Sequence, residues 1–380
     1  MKIYEIGTGY TPIPAQISAA TEIIVEELTK AFIKMEVPVE IIDIAADTRS
    51  ETELPIRQVK VPGLFTRTDL SLGILHKLKR VAYSVALAGE LKRILKAAKE
   101  PVVLHFHNQY NMFFFLKLVP QGLRKKCKAV YTNHNGLWRL PWQEVENTIQ
   151  RRYFQEKESM MCADLVFVLN EETKQNLVEH LGISKDRIVL INNGVNTEVY
   201  HPLSEVEKQT AKEKWGLQGK QIVLQVGSVY ENKGQLRSLA KLESAMKRNS
   251  DLIYAYVGGV VDEGYQNQIA MKADELGLKD QVRYLGMVSP GAELNQLYNI
   301  AEATIFASKY EGFSLVLIES LAAGVPILID ENSPFDLGDG CVKNEADLVH
   351  VSREMVRDNA VNNYSWGKIA GVYFDAFERA

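Results

Sequence analysis

The sequence predicts an α/β protein built from two doubly wound, parallel-sheet (Rossmann-like) domains, and three observations carry that expectation. Short apolar strands alternate with helical stretches from one end of the chain to the other, the pattern of parallel strands joined by covering helices. The rhythm runs twice, broken at residues 196–219, where Pro202 and a run of charges read as a linker. The length of 380 residues exceeds what one hydrophobic core ordinarily holds. The domains are therefore expected at 1–200 and 201–364.

The elements follow in order. Residues 2–6 form a first strand, and residues 22–35 a helix, because Ile24, Leu28, Ala31, Phe32 and Met35 recur on one face. Strands are predicted at 39–44, 102–106, 129–132, 165–169 and 188–191, all short and apolar. Residues 74–95 suggest one or two helices with an apolar and a basic face. The second series places strands at 222–226, 252–257, 282–285, 303–307 and 326–329. Before the last of these, Ser314 caps a helix running to residue 323, which Gly324 and Pro326 stop.

Composition excludes several classes. An apolar fraction of 46% with 24% charged residues is that of an ordinary globular protein. Cys127, Cys162 and Cys341 are far apart without metal or redox spacing, so they read as buried thiols in a reducing compartment. The N-terminus lacks an apolar targeting region and no run of 18 apolar residues occurs, which points to a cytoplasmic protein. The net charge of −4 is unevenly spread: residues 60–130 hold fourteen Lys and Arg against three acids. Such a surface attracts anionic lipid headgroups or a phosphate-bearing substrate, with a peripheral position at the inner face of the membrane, unless it is simply a solvated face. Nucleic acid is not expected, since residues 201–380 carry 18 basic against 25 acidic residues and no reader motif.

In open parallel sheets, ligands bind beyond the carboxyl ends of the strands. The polar residues there are the candidates. Gly7-Thr8-Gly9 follows the first strand and would let backbone approach a ligand, although a plain turn explains it equally. His105 and His107 share one face of a strand end; they could bind zinc, but no third ligand is evident nearby, so a substrate or packing role is favoured and no metal is expected. His134 closes another strand. In the second half, Lys233-Gly234 opens a helix after Gly227, a placement suited to a diphosphate. Glu311 lies in a strand-to-helix loop and Glu319, eight residues on, one turn inside the helix, where both can face a ligand.

In their shared order these motifs resemble the retaining, metal-independent glycosyltransferases of family four, which have the GT-B fold of two Rossmann-like domains facing a central cleft. The matching residues run from Gly7-Thr-Gly9 and Ala19-Ala-Thr-Glu22 through Leu104-His-Phe-His107, Thr132-Asn-His134, Asn192-Asn-Gly-Val195, Lys233-Gly234 and Gly258-Gly259 to the Glu-x7-Glu block from Glu311 to Glu319 and Ala-Ala-Gly-Val-Pro326. The resemblance implies that residues 365–380 form a helix crossing back onto the first domain.

It also implies a hexose transfer from a nucleoside-diphosphate sugar to a glycan or lipid-linked acceptor, without cofactor or metal. Glu311 and His134 would lie beside the transferred sugar, and Lys233 would neutralise the departing diphosphate. Gly9, Ser228, Gly312, Phe313, Ser314 and Leu315 would line the donor, Glu319 would accept from the ribose hydroxyls, and His107 would face the acceptor. Two departures stand out. Ser228 occupies the position where the family commonly has an arginine paired with the lysine, and Ser18-Ala19-Ala20 replaces a glycine-rich turn. They leave a second reading open, a catalytically silent GT-B protein that binds a sugar nucleotide or partners another transferase.

Overall fold

The computed structural model describes the chain except for residues 15–19, 64–73, 312, 332, 334 and 380 and the side chains of 74–76. The expectations for Ser18, Ala19 and Gly312 lie outside the described residues. The chain opens with β1 (Lys2–Ile6), α1 (Ala20–Lys34), β2 (Val39–Ile44), β3 (Ile56–Val59), α2 (Ile74–Ala97) and β4 (Val102–Phe106). Next come α3 (Gln109–Leu118), α4 (Gln121–Arg124), β5 (Cys127–Thr132), α5 (Trp142–Arg152), α6 (Phe154–Cys162), β6 (Leu165–Val168), α7 (Glu171–Leu181) and β7 (Ile188–Leu190). The second series runs α8 (Glu205–Lys214), β8 (Gln221–Val226), α9 (Gln235–Arg248), β9 (Leu252–Val257), α10 (Glu263–Glu275), β10 (Val282–Tyr284) and α11 (Ala292–Ile300). It closes with β11 (Ala303–Phe306), α12 (Leu315–Ala322), β12 (Ile327–Ile329), β13 (Cys341–Val342), α13 (Arg353–Tyr364) and α14 (Trp366–Arg379).

Two compact units result, Met1–Gly194 with Trp366–Ala380, and Val195–Ser365. The first holds a sheet in the order β3-β2-β1-β4-β5-β6-β7, the second one in the order β10-β9-β8-β11-β12-β13. Each pairing between these strands is parallel. Parallel strands are covered on both faces, so β4 is buried at every residue, and all of its residues but His105 are apolar. Helices supply the covers through faces of helical period: Leu239, Leu242 and Met246 of α9 are all buried.

In both sheets the strand order reverses once. In the first, β2 and β3 lie to one side of β1 and β4 to the other; in the second, β9 and β10 lie to one side of β8 and β11 to the other. The loops after β1 and β4, and after β8 and β11, therefore diverge and leave a crevice at each switch point.

Three expectations change. Residues 205–214, read as part of a linker, form a helix of the second unit, started by a capping box in which Ser204 and Glu207 satisfy each other's backbone N–H groups. None of the three cysteines is fully buried: Cys162 is exposed, and Cys127 and Cys341 are half-buried. Ser314 does occupy the N-cap of α12, but its side chain makes no capping hydrogen bond.

The chain passes out of the first unit and back into it at neighbouring residues. Val195 pairs with Ser365 as a parallel bridge and donates from its backbone N–H to the carbonyl of Tyr364 at 2.7 Å. Helix α14 then packs Tyr373 against Phe167 (centroids 4.5 Å) and Phe377 against Phe32 (6.2 Å).

Candidate functional site

In the first unit, β1 and β4 pair so that Glu5 stands opposite His105. Glu5 is fully buried between two imidazoles, its Oε1 2.9 Å from His105 Nδ1 and its Oε2 2.8 Å from His107 Nε2. The chain of contacts runs on in both directions. His105 Nε2 meets Thr132 Oγ1 at 2.7 Å, which meets the Tyr373 hydroxyl at 3.2 Å. His107 Nδ1 meets His134 Nε2 at 3.0 Å. Burial works against the Glu5 charge, but the two imidazoles outweigh it and hold its carboxyl at about 2. Burial, with His105 close by, lowers His107 to about 4, and burial with both neighbouring imidazoles holds His134 well below the ordinary histidine range.

A second buried carboxylate fixes the loop that carries His134. Glu156 of α6 accepts from the Tyr131 hydroxyl at 3.0 Å and Asn133 Nδ2 at 3.1 Å on one oxygen, and from Asn135 Nδ2 at 2.9 Å and Trp138 Nε1 at 2.7 Å on the other. His134 thus sits between two asparagines tied to one anchor. Its Nδ1 is buried and has no hydrogen-bond partner among the described residues. A buried polar atom left in that state costs on the order of 1–3 kcal/mol.

After β1, the position of Gly9 is taken up by packing: a Cβ there would lie 2.1 Å from the ring of Tyr83. Thr8 instead donates its hydroxyl to Glu22 at the start of α1, and burial raises that carboxyl to about 7 despite the hydrogen bond.

In the second unit, the loops at the switch point bring Lys233 and Glu311 into an ion pair, with side chains 20% and 17% exposed. The lysine ends a 3₁₀ turn, Glu231–Lys233, whose backbone is clamped from below: Gln225 donates to the Lys233 carbonyl at 2.7 Å and receives the Tyr254 hydroxyl at 2.5 Å. Asn232 ties the two loops together, donating to the Tyr310 carbonyl at 3.0 Å and accepting from its N–H at 3.2 Å. Gly234 follows at φ +74, where a Cβ would lie 2.4 Å from the Ala307 carbonyl oxygen. At the ends of β8 and β9, a Cβ on Gly258 would lie 2.2 Å from the Gly227 carbonyl oxygen. Ser228 accepts through its carbonyl from Gln235 at 3.1 Å.

Glu319 points elsewhere than its partner in the motif. It accepts from the Tyr298 hydroxyl at 2.9 Å, and burial raises its carboxyl to about 7 against the hydrogen bonds of Tyr298 and Tyr200. Leu315 opens α12 beneath Ser314, which is buried, and the Phe313 ring lies 6.3 Å from that of Tyr364.

Within the first unit the structure gathers His107 and His134; within the second it gathers Lys233 and Glu311. Sequence reading missed Glu5 and Glu156. Glu5 carried a legible signal, a lone charge inside the apolar strand Lys-Ile-Tyr-Glu-Ile, since a buried charge needs a partner. It also supplies the third metal-type side chain that the sequence lacked beside His105 and His107, with the three ligand-type atoms within 4.8 Å of one another. Both carboxylate oxygens are taken up by hydrogen bonds to the two rings, and all three residues are buried.

The comparisons agree with this architecture. The family described as Glycosyltransferase Family 4 matches residues 21–199, and the one described as Glycosyl transferases group 1 matches 207–335. The chain belongs to the glycosyltransferases of this two-domain, family-four type with the GT-B fold. It is 22% identical over 337 residues to the putative glycosyltransferase YtcC of Bacillus subtilis, covering 86% of this chain and 74% of that protein. It is 27% identical over 191 residues to the mannosylfructose-phosphate synthase of Agrobacterium fabrum, covering 49% of this chain but only 42% of that protein's length. Among solved structures, Anabaena Alr3699/HepE in complex with UDP and glucose superposes with a TM-score of 0.70 at 13% identity, over 100% of both chains.

Proposed function

We propose that the protein is a retaining hexosyltransferase that takes a hexose from a nucleoside-diphosphate sugar to a glycan or lipid-linked acceptor. The observation that carries the reading is the Lys233–Glu311 pair at the switch point of the second sheet. A diphosphate arriving beside Lys233 competes with Glu311 for the ammonium, and the released carboxylate becomes an acceptor for the hydroxyls of the transferred sugar. As the glycosidic bond to phosphate breaks, Lys233 neutralises the charge that develops on the leaving diphosphate, a task a metal performs elsewhere. The acceptor hydroxyl attacks from the face the diphosphate leaves, with a donor phosphate oxygen taking its proton, so no dedicated protein base is needed. Glu319 holds the ribose hydroxyls. The UDP and glucose named for the Anabaena structure support a nucleoside-diphosphate hexose as donor.

The test is hydrolysis and binding of a panel of nucleotide-sugars by the purified protein. We expect one donor to raise the melting temperature and to release nucleoside diphosphate, and Lys233→Ala to lower kcat/KM by about 100-fold, the scale of losing one charge-stabilising group. Neither turnover nor binding with any donor, together with no effect of Glu311→Ala, ends the transferase reading. Ser228 favours a second reading, a silent sugar-nucleotide binder, because one diphosphate cation fewer stands at the site. Binding without turnover of any donor on any acceptor supports that alternative.

A further inference from the structure

We infer that Glu5 is a positioning residue that sets the tautomers of His107 and His134 in series, so that His134 presents an unprotonated Nδ1 as a hydrogen-bond acceptor to a ligand hydroxyl. An ionised carboxylate has no proton to give, so both rings that face Glu5 must donate to it: His105 from Nδ1 and His107 from Nε2. The opposite tautomer of His107 would set two bare acceptors 2.8 Å apart in a site without water contact. With its proton on Nε2, a neutral His107 has a bare Nδ1. That atom lies 3.0 Å from His134 Nε2, which must therefore carry the proton between them. A neutral His134 protonated there leaves Nδ1 as a lone pair, and this is the buried ring atom without a partner.

Burial opposes a positive charge on either ring, which keeps the series neutral beyond Glu5. The hydrogen bonds of Asn133 and Asn135 to Glu156 hold the backbone on both sides of His134, so the ring meets its ligand in one orientation. The ligand group this arrangement recognises is a hydrogen-bond donor.

The test reads protons directly, by long-range nitrogen–proton correlation spectra of the full chain labelled with 15N-histidine, His134→Asn providing the assignment. In the unaltered protein at neutral pH, His107 and His134 are expected neutral and protonated at Nε2, and His105 protonated at Nδ1. Glu5→Gln replaces a double acceptor with one acceptor and one donor, so it is expected to reverse either His105, or His107 and His134 together. Several results overturn the inference: His134 protonated at Nδ1 in the unaltered protein, all three rings unchanged in Glu5→Gln, or reversal of His107 without His134. A stoichiometric transition metal in the purified protein also overturns it, because the Glu5 contacts would then be coordination rather than hydrogen bonds. If Glu5→Gln fails to fold, the spectrum of the unaltered protein still decides. None of these outcomes depends on whether a sugar donor is found.

Discussion

Glu5 is fully buried and Glu319 half-buried, and their neighbours drive the two carboxyls in opposite directions. Glu5 has two imidazoles and is held at about 2; Glu319 has tyrosine hydroxyls only and rises to about 7. A carboxyl raised on folding from its ordinary 4.5 stabilises the fold fully below pH 4.5 and loses that contribution as pH rises through 7. Glu319→Gln removes the group that titrates. The stability difference between Glu319→Gln and the unaltered protein should therefore grow in favour of the variant by on the order of 3 kcal/mol between pH 4 and pH 8. Urea melts at a series of pH values measure it, and parallel profiles for the two proteins would show that the carboxyl titrates normally. Glu22 is also raised to about 7, but it contributes equally to both proteins and cancels. At this scale, Lys233, Glu311, His107 and His134 were legible in the sequence because they sit at strand ends or helix starts, where polar residues interrupt apolar runs. Glu156 was not, because its four donors come from a loop and a strand more than fifteen residues upstream, and nothing local marks it.

The central strands were legible as short apolar runs, and so were the edge strands β7 and β10, whereas β3 and β13, at the other two edges, were not. β3, Ile56–Val59, carries Arg57 and Gln58 and forms one edge of the first sheet, while β13 spans two residues at an edge of the second. β3 is only partly buried and loses the apolar signal that buried parallel strands keep, and β13 is too short to carry one. The close approach of two strand ends at Gly258 leads to a second prediction: Gly258→Ala should lower stability by on the order of 1–3 kcal/mol, from the left-handed backbone and the Gly227 carbonyl together. A thermal melt within a degree of the unaltered protein would mean that the turn can move aside. Helix α2 bears on the membrane expectation. Its exposed Leu78, Val81 and Val85 form one apolar stripe at helical spacing, close to the exposed Lys77. Part of the basic excess is spent inside the protein, however, with Arg80 stacked between the rings of Tyr10 and Tyr110 and Lys128 donating to the Phe377 carbonyl. No helix among the described residues is long and apolar enough to cross a membrane. Salt-sensitive sedimentation with vesicles containing anionic lipid is expected, weakened by Leu78→Glu with Val85→Glu; equal partitioning onto neutral and anionic vesicles would remove the surface contact.

For the whole molecule, the repeated alternation of strand and helix was enough to anticipate two doubly wound sheets, because parallel sheets impose their period on the entire chain. The sequence placed the division at residue 200 and missed how closely the two crossings of the chain lie, since that depends on tertiary pairing between residues 170 positions apart. Val195 and Ser365 are bridged to one another, and a Cβ on Gly194 would lie 2.3 Å from the Trp366 ring. One unit is in this sense a loop let into the other. Both cut surfaces are already closed: residues 195–365 begin and end at paired backbone, and the remaining halves, 1–194 and 366–379, end side by side, near enough for a few glycines to rejoin them. The segment 195–365 produced alone should therefore give a cooperative melt and native-like circular dichroism, and the glycine-joined remainder should do the same. A fragment without a thermal transition would mean that the second sheet needs the first to fold. If both fold, the molecule is two separable proteins sharing one thread, and each switch-point site can be taken apart and studied without the other.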